Sequence, residues 1–306
     1  MSLINRLTAR FPTERHPCQP RFPTTERFVG TPAIRAVVPD ITTSLPSGFV
    51  RRVVEMRDNV PEPTRVGRPG YIHLSSLISL CARKHRLMRD GGVGTSEPVT
   101  GSHRVMWRIG RAVENHVRDQ LVEGMPVDVF GRWVCLCGET YHIGHKPSSA
   151  QRCTMCSTRV DRYRELTLSD HDNHVIGNPD IILRTAGRYV PLEIKSMVRT
   201  QWSELTAPLP NHIIQAAGYR RLLQVDGFPV HDDVAIVYVA KDFAWGSPYK
   251  EFHVRVTDRI EDELNDLFAE ARRATSEAFP ERLRCTNPNS PSARRCPVVN
   301  QCFARP

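Results

Sequence analysis

The stretch GNPDIILRTAGRYVPLEIKSM, residues 177–197, places single charged residues inside otherwise apolar strands. The turn residues Thr, Ala, Gly and Arg at 185–188 divide it into two strands that can pair as a hairpin. In the second strand the alternation of a β-strand puts Val190, Leu192 and Ile194 on one face. The stretch therefore predicts a hairpin with one apolar face, and the charged residues need a separate explanation.

The charged residues of this hairpin form one group. Glu193 and Lys195 project from the face opposite the apolar one, and Asp180 comes directly before the apolar run of the first strand. If the strands pair, Asp180 lies beside Glu193, and two adjacent carboxylates repel each other unless a cation compensates them. Oxygen ligands of this kind suit Mg²⁺ or Mn²⁺, and Lys195 can hold or polarise an attacking water. The alternative is an ordinary salt bridge between Glu193 and Lys195 on a solvated sheet face.

Helices and strands alternate on both sides of the hairpin. Before it, apolar spacing predicts a helix from Ser75 or Ser76, ended by Gly91 and Gly92, and a second helix over 103–124. The predicted strands are residues 163–169, 174–185, 188–197, 234–242 and 249–257, the later helices are 211–227 and 258–279, and the tail from residue 284 is loop-like. The pattern is that of a mixed α/β protein.

The hairpin resembles the motif of PD-(D/E)xK nucleases. Pro179 and Asp180 match the first half of that motif, and Glu193-x-Lys195 matches the second half. Enzymes of this family have a helix before the motif strands and a helix after them, and both are predicted here. The resemblance implies a metal-dependent site at these three charged residues.

Two helical elements extend the resemblance to RecB-like nucleases. Their preceding helix carries Gly-x-x-x-His or Gly-x-x-x-Glu, whose last residue joins the metal site, and Gly110 and Glu114 match the second form. His116 is the alternative to Glu114, although a residue two positions along a helix faces elsewhere; Glu114 could also be a solvated helix charge. The Gln-x-x-x-Tyr of the following helix is matched by Gln215 and Tyr219, which share a helix face. The tyrosine could stack on a base or bond a phosphate, or be an ordinary half-buried residue.

The nine cysteines indicate metal sites. No apolar run approaches the roughly 20 residues of a membrane span, and the beginning of the chain lacks an apolar signal core. We therefore expect a cytoplasmic protein without a membrane partner. That compartment keeps thiols reduced, so metal binding is a better interpretation of the cysteines than disulfide bonds.

One set of cysteines resembles the two knuckles of a zinc ribbon. It consists of Cys135, Cys137, Cys153 and Cys156. Four thiolates suit tetrahedral Zn²⁺, and Gly138 frees the backbone to turn after the first knuckle. Because C-x-C is less usual than C-x-x-C, His142 or His145 could replace one cysteine. Free thiols in a loop are the remaining alternative.

A second set of cysteines resembles the iron–sulfur staple of RecB-like nucleases, including AddB-type subunits and CRISPR-associated exonucleases. It consists of Cys81, Cys285, Cys296 and Cys302. One cysteine precedes the nuclease motifs and three follow them, which suits a [4Fe–4S] cluster. The spacing Cys296-x5-Cys302 agrees with the family, whereas the ten residues between Cys285 and Cys296 do not. A second zinc site is the alternative, and Cys18 has no assigned role.

The composition favours nucleic acid as a partner. The formal net charge is +9, and arginine, which suits phosphate contacts, greatly outnumbers lysine. Residues 1–70 form a basic arm rich in Pro and Arg that is expected to be poorly ordered, either touching DNA or having no role. The resemblance covers residues 71–306.

Together the resemblances imply a restriction-endonuclease-like α/β core, with a mixed central sheet flanked by helices. A small zinc-binding insert occupies residues 131–160, and a Cys-rich iron–sulfur tail occupies residues 281–306. The reaction implied is hydrolysis of phosphodiester bonds in DNA, with exonuclease action favoured on single strands or DNA ends. Such enzymes serve recombination, repair or CRISPR-type DNA processing, with recombination or CRISPR-adaptation proteins as possible partners. The alternatives are a non-catalytic DNA-binding adaptor and a structure-specific endonuclease.

The resemblance also implies a role for each residue of the site. Glu114 (or His116), Asp180, Glu193 and the carbonyl of Ile194 would hold Mg²⁺ or Mn²⁺. Lys195 would orient the attacking water. Gln215 and Tyr219 would guide the strand.

Overall fold

The computed structural model describes residues 70–90, 101–126, 128–242, 246–276, 278–282, 285 and 287–305. The predicted basic arm, apart from Gly70, lies outside these ranges, as does Cys18. In the described ranges no helix is both long enough and apolar enough to cross a membrane.

The described chain alternates between strands and helices. The strands are β1 (Ile72–His73), β2 (Val129–Val134), β3 (Tyr141–His145), β4 (Arg162–Arg164), β5 (Leu168–Asp170), β6 (Val175–Gly177), β7 (Ile181–Thr185), β8 (Arg188–Met197), β9 (Asp233–Ala240) and β10 (Tyr249–Arg255). The helices are α1 (Leu74–Leu77), α2 (Ala82–Asp90), α3 (Gly101–Gly124), α4 (Arg199–Glu204), α5 (Pro210–Val225), α6 (Asp258–Thr275), α7 (Pro291–Arg294) and α8 (Val299–Ala304). The fold is thus mixed α/β, as predicted.

A mixed sheet is the centre of the fold. Within the described residues its strands follow the order β10-β9-β8-β7-β2-β3, with β4 also paired to β2. Strands β8 and β9 are parallel, and the other pairs of this sheet are antiparallel. Parallel neighbours need a crossover connection, which α4 and α5 supply. A smaller sheet has the order β1-β6-β5.

Helices cover both faces of the central sheet. On one face, Val117 of α3 packs with Leu192 and Ile194 of β8 in one apolar cluster. On the other face, Ala216 of α5 packs with Ile236 of β9 in a second cluster. The alternation along the strands therefore buries both faces, which leaves the charged residues of β8 enclosed rather than solvated.

The β7–β8 hairpin has the predicted register. Ile181 lies opposite Leu192, and Thr185 lies opposite Arg188. Ala186 and Gly187 between them take positive φ angles of 47° and 78°, as in the two-residue turns that match strand twist. This register carries Asp180 to the position beside Glu193.

The first helix was predicted as continuous, and this prediction is wrong because the structure divides it into two helices. Helix α1 ends at Leu77, and α2 begins at Ala82. The amide of Ala82 donates a 2.8 Å hydrogen bond to Oε1 of Glu270, a buried residue of α6. This carboxylate supplies an acceptor for the first turn of α2, so the chain starts a new helix there.

Two predicted strands are each divided in the structure. The predicted strand over 174–185 is separated into β6 and β7, because Pro179 cannot donate to a strand ladder and the chain passes between the two sheets there. The predicted strand over 163–169 likewise becomes β4 and β5, which belong to different sheets. The tail expected to be loop-like contains α7 and α8, and the Ser290 hydroxyl caps α7 by accepting from the Ala293 amide.

Candidate active site

Asp180 and Glu193 meet at the start of the β7–β8 hairpin. Oδ2 of Asp180 accepts a 2.7 Å hydrogen bond from the amide of Ile194. Glu193 is only 2% exposed, and its Oε1 forms an ion pair with Nζ of Lys195. The structure therefore brings the three charged residues of the hairpin into one group, in which Glu193 is buried and Asp180 and Lys195 are partly exposed to the cleft.

The environment of this group opposes ionisation of its acids. Burial raises the pKa of Asp180 well above its ordinary value, and the charges of Glu193 and Glu114 add to the effect. Burial also raises the pKa of Glu193 to about 7, against the opposing influence of Lys195. Burial disfavours the charge of Lys195 as well, but the Glu193 carboxylate outweighs it and raises the Lys195 pKa, so the lysine stays cationic.

One carboxylate oxygen of this group is unpaired among the described residues. Oε2 of Glu193 is buried and has no hydrogen-bond partner among the described residues. Buried polar atoms are nearly always paired, and an unpaired carboxylate oxygen is especially unfavourable. An unpaired oxygen beside a second buried carboxylate is the donor set that a divalent cation satisfies. The residues present therefore fit Mg²⁺ or Mn²⁺.

Helix α3 adds Glu114 to the site. A Cβ on Gly110 would lie 3.4 Å from Oγ of Ser196, so α3 and β8 are in close contact at this point. One helical turn later Glu114 lines the same cleft as Asp180 and Glu193, but oxygens of the three carboxylates do not all lie within 4.8 Å of one another. His116, the alternative, is exposed and is not among the described residues that line the cleft.

Helix α5 closes the other side of the site with Gln215 and Tyr219. Nε2 of Gln215 donates a 3.0 Å hydrogen bond to the hydroxyl of Tyr219. Burial, followed by the charge of Glu193, raises the pKa of Tyr219 well above its ordinary value, so its hydroxyl stays protonated. Tyr219 is only 2% exposed. Of the two roles considered from the sequence, contact of the hydroxyl with a phosphate fits this burial better than stacking of the ring on a base.

Gly177 makes room for Tyr219. A Cβ at Gly177 would lie 2.8 Å from Cε1 of Tyr219 and 3.0 Å from Cδ1 of Leu222. We expect Gly177→Ala to lower the free energy of unfolding by about 1–3 kcal/mol, because both side chains must move in a packed core. Urea denaturation measures the change, with Gly124→Ala as control because a Cβ at Gly124 meets nothing within 4 Å. Equal stability of the two variants would contradict this packing.

Sequence reasoning missed the residues that support the site. Oδ1 of Asn178 lies 3.3 Å from Nε2 of His73, and its Nδ2 donates a 2.7 Å hydrogen bond to Thr167. Asn178 stands two residues before Asp180, and this closeness to the motif could have marked it as a site residue. Arg118 of α3 forms a 2.6 Å ion pair with Glu165. No local pattern connects those two residues, which are 47 positions apart.

The site lies in a cleft of about 1580 Å³. Its basic lining residues are Arg111, Arg118, Lys146, Arg162, Arg164, Lys195 and Lys241, and its acidic ones are Glu114, Asp119, Glu123, Asp161, Glu165, Asp180 and Glu193. The described lining therefore contains as many basic as acidic residues. A divalent cation on the central carboxylates would therefore leave the described lining with a positive net charge.

The first cysteine set forms a compact group that could hold a metal ion. The four sulfur atoms of Cys135, Cys137, Cys153 and Cys156 lie within 4.8 Å of one another. The histidine alternatives are not needed to complete four ligands. Hydrogen bonding by Thr158 lowers the pKa of Cys156 to about 5, which favours its thiolate. A backbone hydrogen bond lowers the pKa of Cys137, but burial and hydrogen bonds with the other three thiols outweigh it and raise that pKa.

The two knuckles have matching backbone geometry. The Gly138 amide donates to the Cys135 carbonyl at 3.1 Å, and the Ser157 amide donates to the Cys153 carbonyl at 3.0 Å. Both donors take positive φ angles, 81° for Gly138 and 56° for Ser157. Gly138 therefore provides the turn predicted from the sequence. Strands β2 and β3, which frame the first knuckle, belong to the central sheet.

The second cysteine set surrounds a small cavity beside α2 and the tail. The cavity is lined by Cys81, Cys285, Cys296 and Cys302. Their sulfur atoms do not form a group within 4.8 Å, which among the described residues only the first set does. The buried side chain of Arg83 ties α2 to the tail by donating to the carbonyls of Pro280 and Cys302. The structure therefore brings the four cysteines of the second set to one cavity, with their sulfur atoms farther apart than those of the first set.

The comparisons with known proteins give only remote structural similarity. No family model and no curated protein matches the chain. Among solved structures, SSO0001 has a TM-score of 0.39 and 14% identity, covering 77% of this chain and 90% of that one. An alkaline exonuclease (LHK-Exo) from Laribacter hongkongensis has a TM-score of 0.36 and 14% identity, covering 68% and 91%. LHK-Exo in complex with dAMP has a TM-score of 0.37 and 13% identity, covering 67% and 88%.

Proposed function

We propose that this protein is a Mg²⁺- or Mn²⁺-dependent deoxyribonuclease, with exonuclease action favoured. The observation that carries the proposal is the pair formed by partly buried Asp180 and buried Glu193, with Oε2 of Glu193 unpaired among the described residues and Lys195 at its side. A protein that needed these residues only for folding would lose stability by burying two adjacent carboxylates. A metal site in a cleft explains the arrangement.

Three carboxylates would hold the cation. Asp180 and Glu193 are the central ligands, Glu114 comes from α3, and the carbonyl of Ile194 is a further ligand by family resemblance. When bound, a divalent cation activates water and stabilises the charge that develops on the phosphate. The hydrogen bond from the Ile194 amide fixes one oxygen of Asp180, and Asp180 lines the cleft.

The remaining residues act on the water and on the phosphate. Lys195 stays cationic, so its Nζ can donate to the attacking water and hold it beside the carboxylates. The protonated hydroxyl of Tyr219 can donate to a phosphate oxygen, and Gln215 holds that hydroxyl in place. Helices α3 and α5 would thus both contribute to positioning the DNA strand.

The two cysteine sets would hold structural metals. Four sulfur atoms within 4.8 Å of one another suit a single tetrahedral ion, and Zn²⁺ is the proposed occupant of the first set. The wider spacing of the second set suits a [4Fe–4S] cluster, and Arg83, Lys84 and Arg282 beside it would stabilise the negative charge of such a cluster. The role in recombination, repair or CRISPR-type processing, and any partner proteins, stay predictions.

The test of the proposal is cleavage of defined DNA. The protein is purified without oxygen and incubated with Mn²⁺ and end-labelled linear or closed circular single-stranded DNA. Degradation of the linear substrate alone supports the exonuclease, and cleavage of both substrates replaces it by an endonuclease. Binding without cleavage of either substrate would overturn the enzyme proposal in favour of a DNA-binding adaptor.

The raised pKa of Glu193 predicts an unusual pH dependence of stability without Mg²⁺ or Mn²⁺. Its folded pKa of about 7 lies above the ordinary value of 4.5, so the folded state holds the proton more tightly. The contribution of Glu193 to stability therefore falls as the pH rises from about 4.5 to 7, by about 3 kcal/mol.

Urea denaturation between pH 5 and pH 8 measures this effect, with Glu193→Gln as the comparison. We expect the stability of the native protein relative to the variant to decrease with rising pH, and Mn²⁺ to remove the decrease. Parallel pH profiles for the two proteins would contradict the prediction.

A further inference from the structure

Helix α3 exposes a tryptophan at the mouth of the cleft. Trp107 is 58% exposed, and its neighbours Met106 and Ile109 are 50% and 44% exposed. Trp107 and Met106 line the cleft, whereas Ile109 is absent from the described lining. A large aromatic ring left open beside a polar site is unfavourable for folding alone and is typical of a binding surface.

The position of Trp107 relates it to the catalytic group. Trp107, Gly110, Arg111 and Glu114 are spaced so that they share one face of α3. Glu114 comes seven positions after Trp107, which corresponds to about 10 Å along a helix axis. A group that contacts the ring would therefore be close to the bond being cleaved.

Charge along this face of α3 selects the kind of ligand. Arg111 lies between Trp107 and Glu114. Beyond Glu114, Arg118 is paired with Glu165, and Asp119 and Glu123 follow at the other end of the lining. The Trp107 end is thus the cationic end of the helix face. An open aromatic ring followed by arginine is the pattern that binds a nucleotide base and its phosphate together.

We propose that Trp107 is a stacking platform for an unpaired base of the DNA strand entering the site. The inference rests on the proposed function and adds a substrate class to it. A base inside a duplex is covered by its stacked neighbours, so a ring that stacks on a base selects single strands or frayed ends. The ring of Tyr219 is buried. Tyr163 also lines the cleft, but its ring packs edge-on against Trp133 and its hydroxyl is buried. Trp107 is therefore the most exposed aromatic ring of the described lining.

Binding of a labelled single-stranded oligonucleotide, without Mg²⁺ or Mn²⁺, tests the proposal. We expect Trp107→Ala to weaken binding about ten-fold, Trp107→Phe to retain most of it, and Ile109→Ala to leave it unchanged. Ile109 is the matched control because it is an exposed apolar residue of the same helix outside the described lining. For a blunt duplex the difference between the native protein and Trp107→Ala should be smaller.

The outcomes separate this inference from the proposed function. Native-level DNA binding by Trp107→Ala overturns the stacking proposal and leaves the nuclease proposal intact. An equal loss in Ile109→Ala also overturns it, because the effect would then be general to the helix. Lower thermal stability of Trp107→Ala with unchanged DNA affinity would instead assign the ring to packing within this chain. Failure of the native protein to bind any DNA overturns the proposed function and the inference with it.

Discussion

Asp180→Asn is expected to reduce DNA cleavage by at least about 1000-fold and at the same time to stabilise the protein in the absence of Mg²⁺ and Mn²⁺. The lost carboxylate is a central ligand of the proposed cation, whose effect on the transition state is worth several kcal/mol. Initial rates with saturating Mn²⁺ on a linear substrate measure the first effect.

The gain in stability follows from the environment of Asp180. Burial and the charges of Glu193 and Glu114 oppose its ionised form. An asparagine oxygen can still accept the hydrogen bond from the Ile194 amide, while the repulsion between carboxylates is removed. We expect the free energy of unfolding at pH 7 to rise by about 1–2 kcal/mol, measured by urea denaturation.

A second buried aspartate supplies the matched control. Asp170 is 3% exposed, but it accepts hydrogen bonds from the amide of Asn173 at 3.0 Å and from its Nδ2 at 2.6 Å. Asp170→Asn should therefore lower stability and leave cleavage unchanged. If Asp180→Asn behaves like Asp170→Asn in both measurements, the assignment of Asp180 to a metal site is wrong.

Loss of the four-cysteine site is the second large expected effect. Replacing Cys153 and Cys156 by serine should remove one bound metal ion per chain and lower the free energy of unfolding by several kcal/mol. Cys153 packs with Trp133 and Val160 in the same cluster as the central sheet. The damage should therefore spread from the knuckle into β2 and β4.

Loss of this metal site should also lower DNA affinity, because Arg162 and Arg164 of β4 line the cleft. Metal analysis and amide hydrogen exchange measure these effects, with Met155→Ala as control because Met155 is 67% exposed between the two replaced cysteines. Unchanged metal content and unchanged exchange in the serine variant would contradict a structural metal at this site.

The grouping of the two carboxylates and the lysine could be predicted because these residues are local in sequence. Asp180, Glu193 and Lys195 lie within one hairpin, and strand alternation with a two-residue turn is enough to place them together. The four cysteines of the first set are similarly close in sequence. Their spacing alone was enough to predict a metal site, without knowledge of the surrounding strands.

Contacts between distant segments could not be predicted in this way. The start of α2 depends on Glu270, which is 188 residues from Ala82. Periodicity marks residues as apolar or polar but does not show which apolar residue remains uncovered, so Trp107 was not distinguished from the core residues of α3. The full burial of Tyr219, which was considered only as an ordinary half-buried residue, depends in the same way on a distant segment, because its ring packs on Gly177 of β6.

The most direct test of the central claim is anomalous X-ray diffraction from crystals of the native protein soaked in Mn²⁺. The account predicts a manganese peak bonded to oxygens of Asp180 and Glu193, including Oε2 of Glu193, at about 2.1 Å. It also predicts that the same soak of Asp180→Asn crystals gives no peak there. A fully soaked native crystal with no manganese between these two carboxylates would contradict the account.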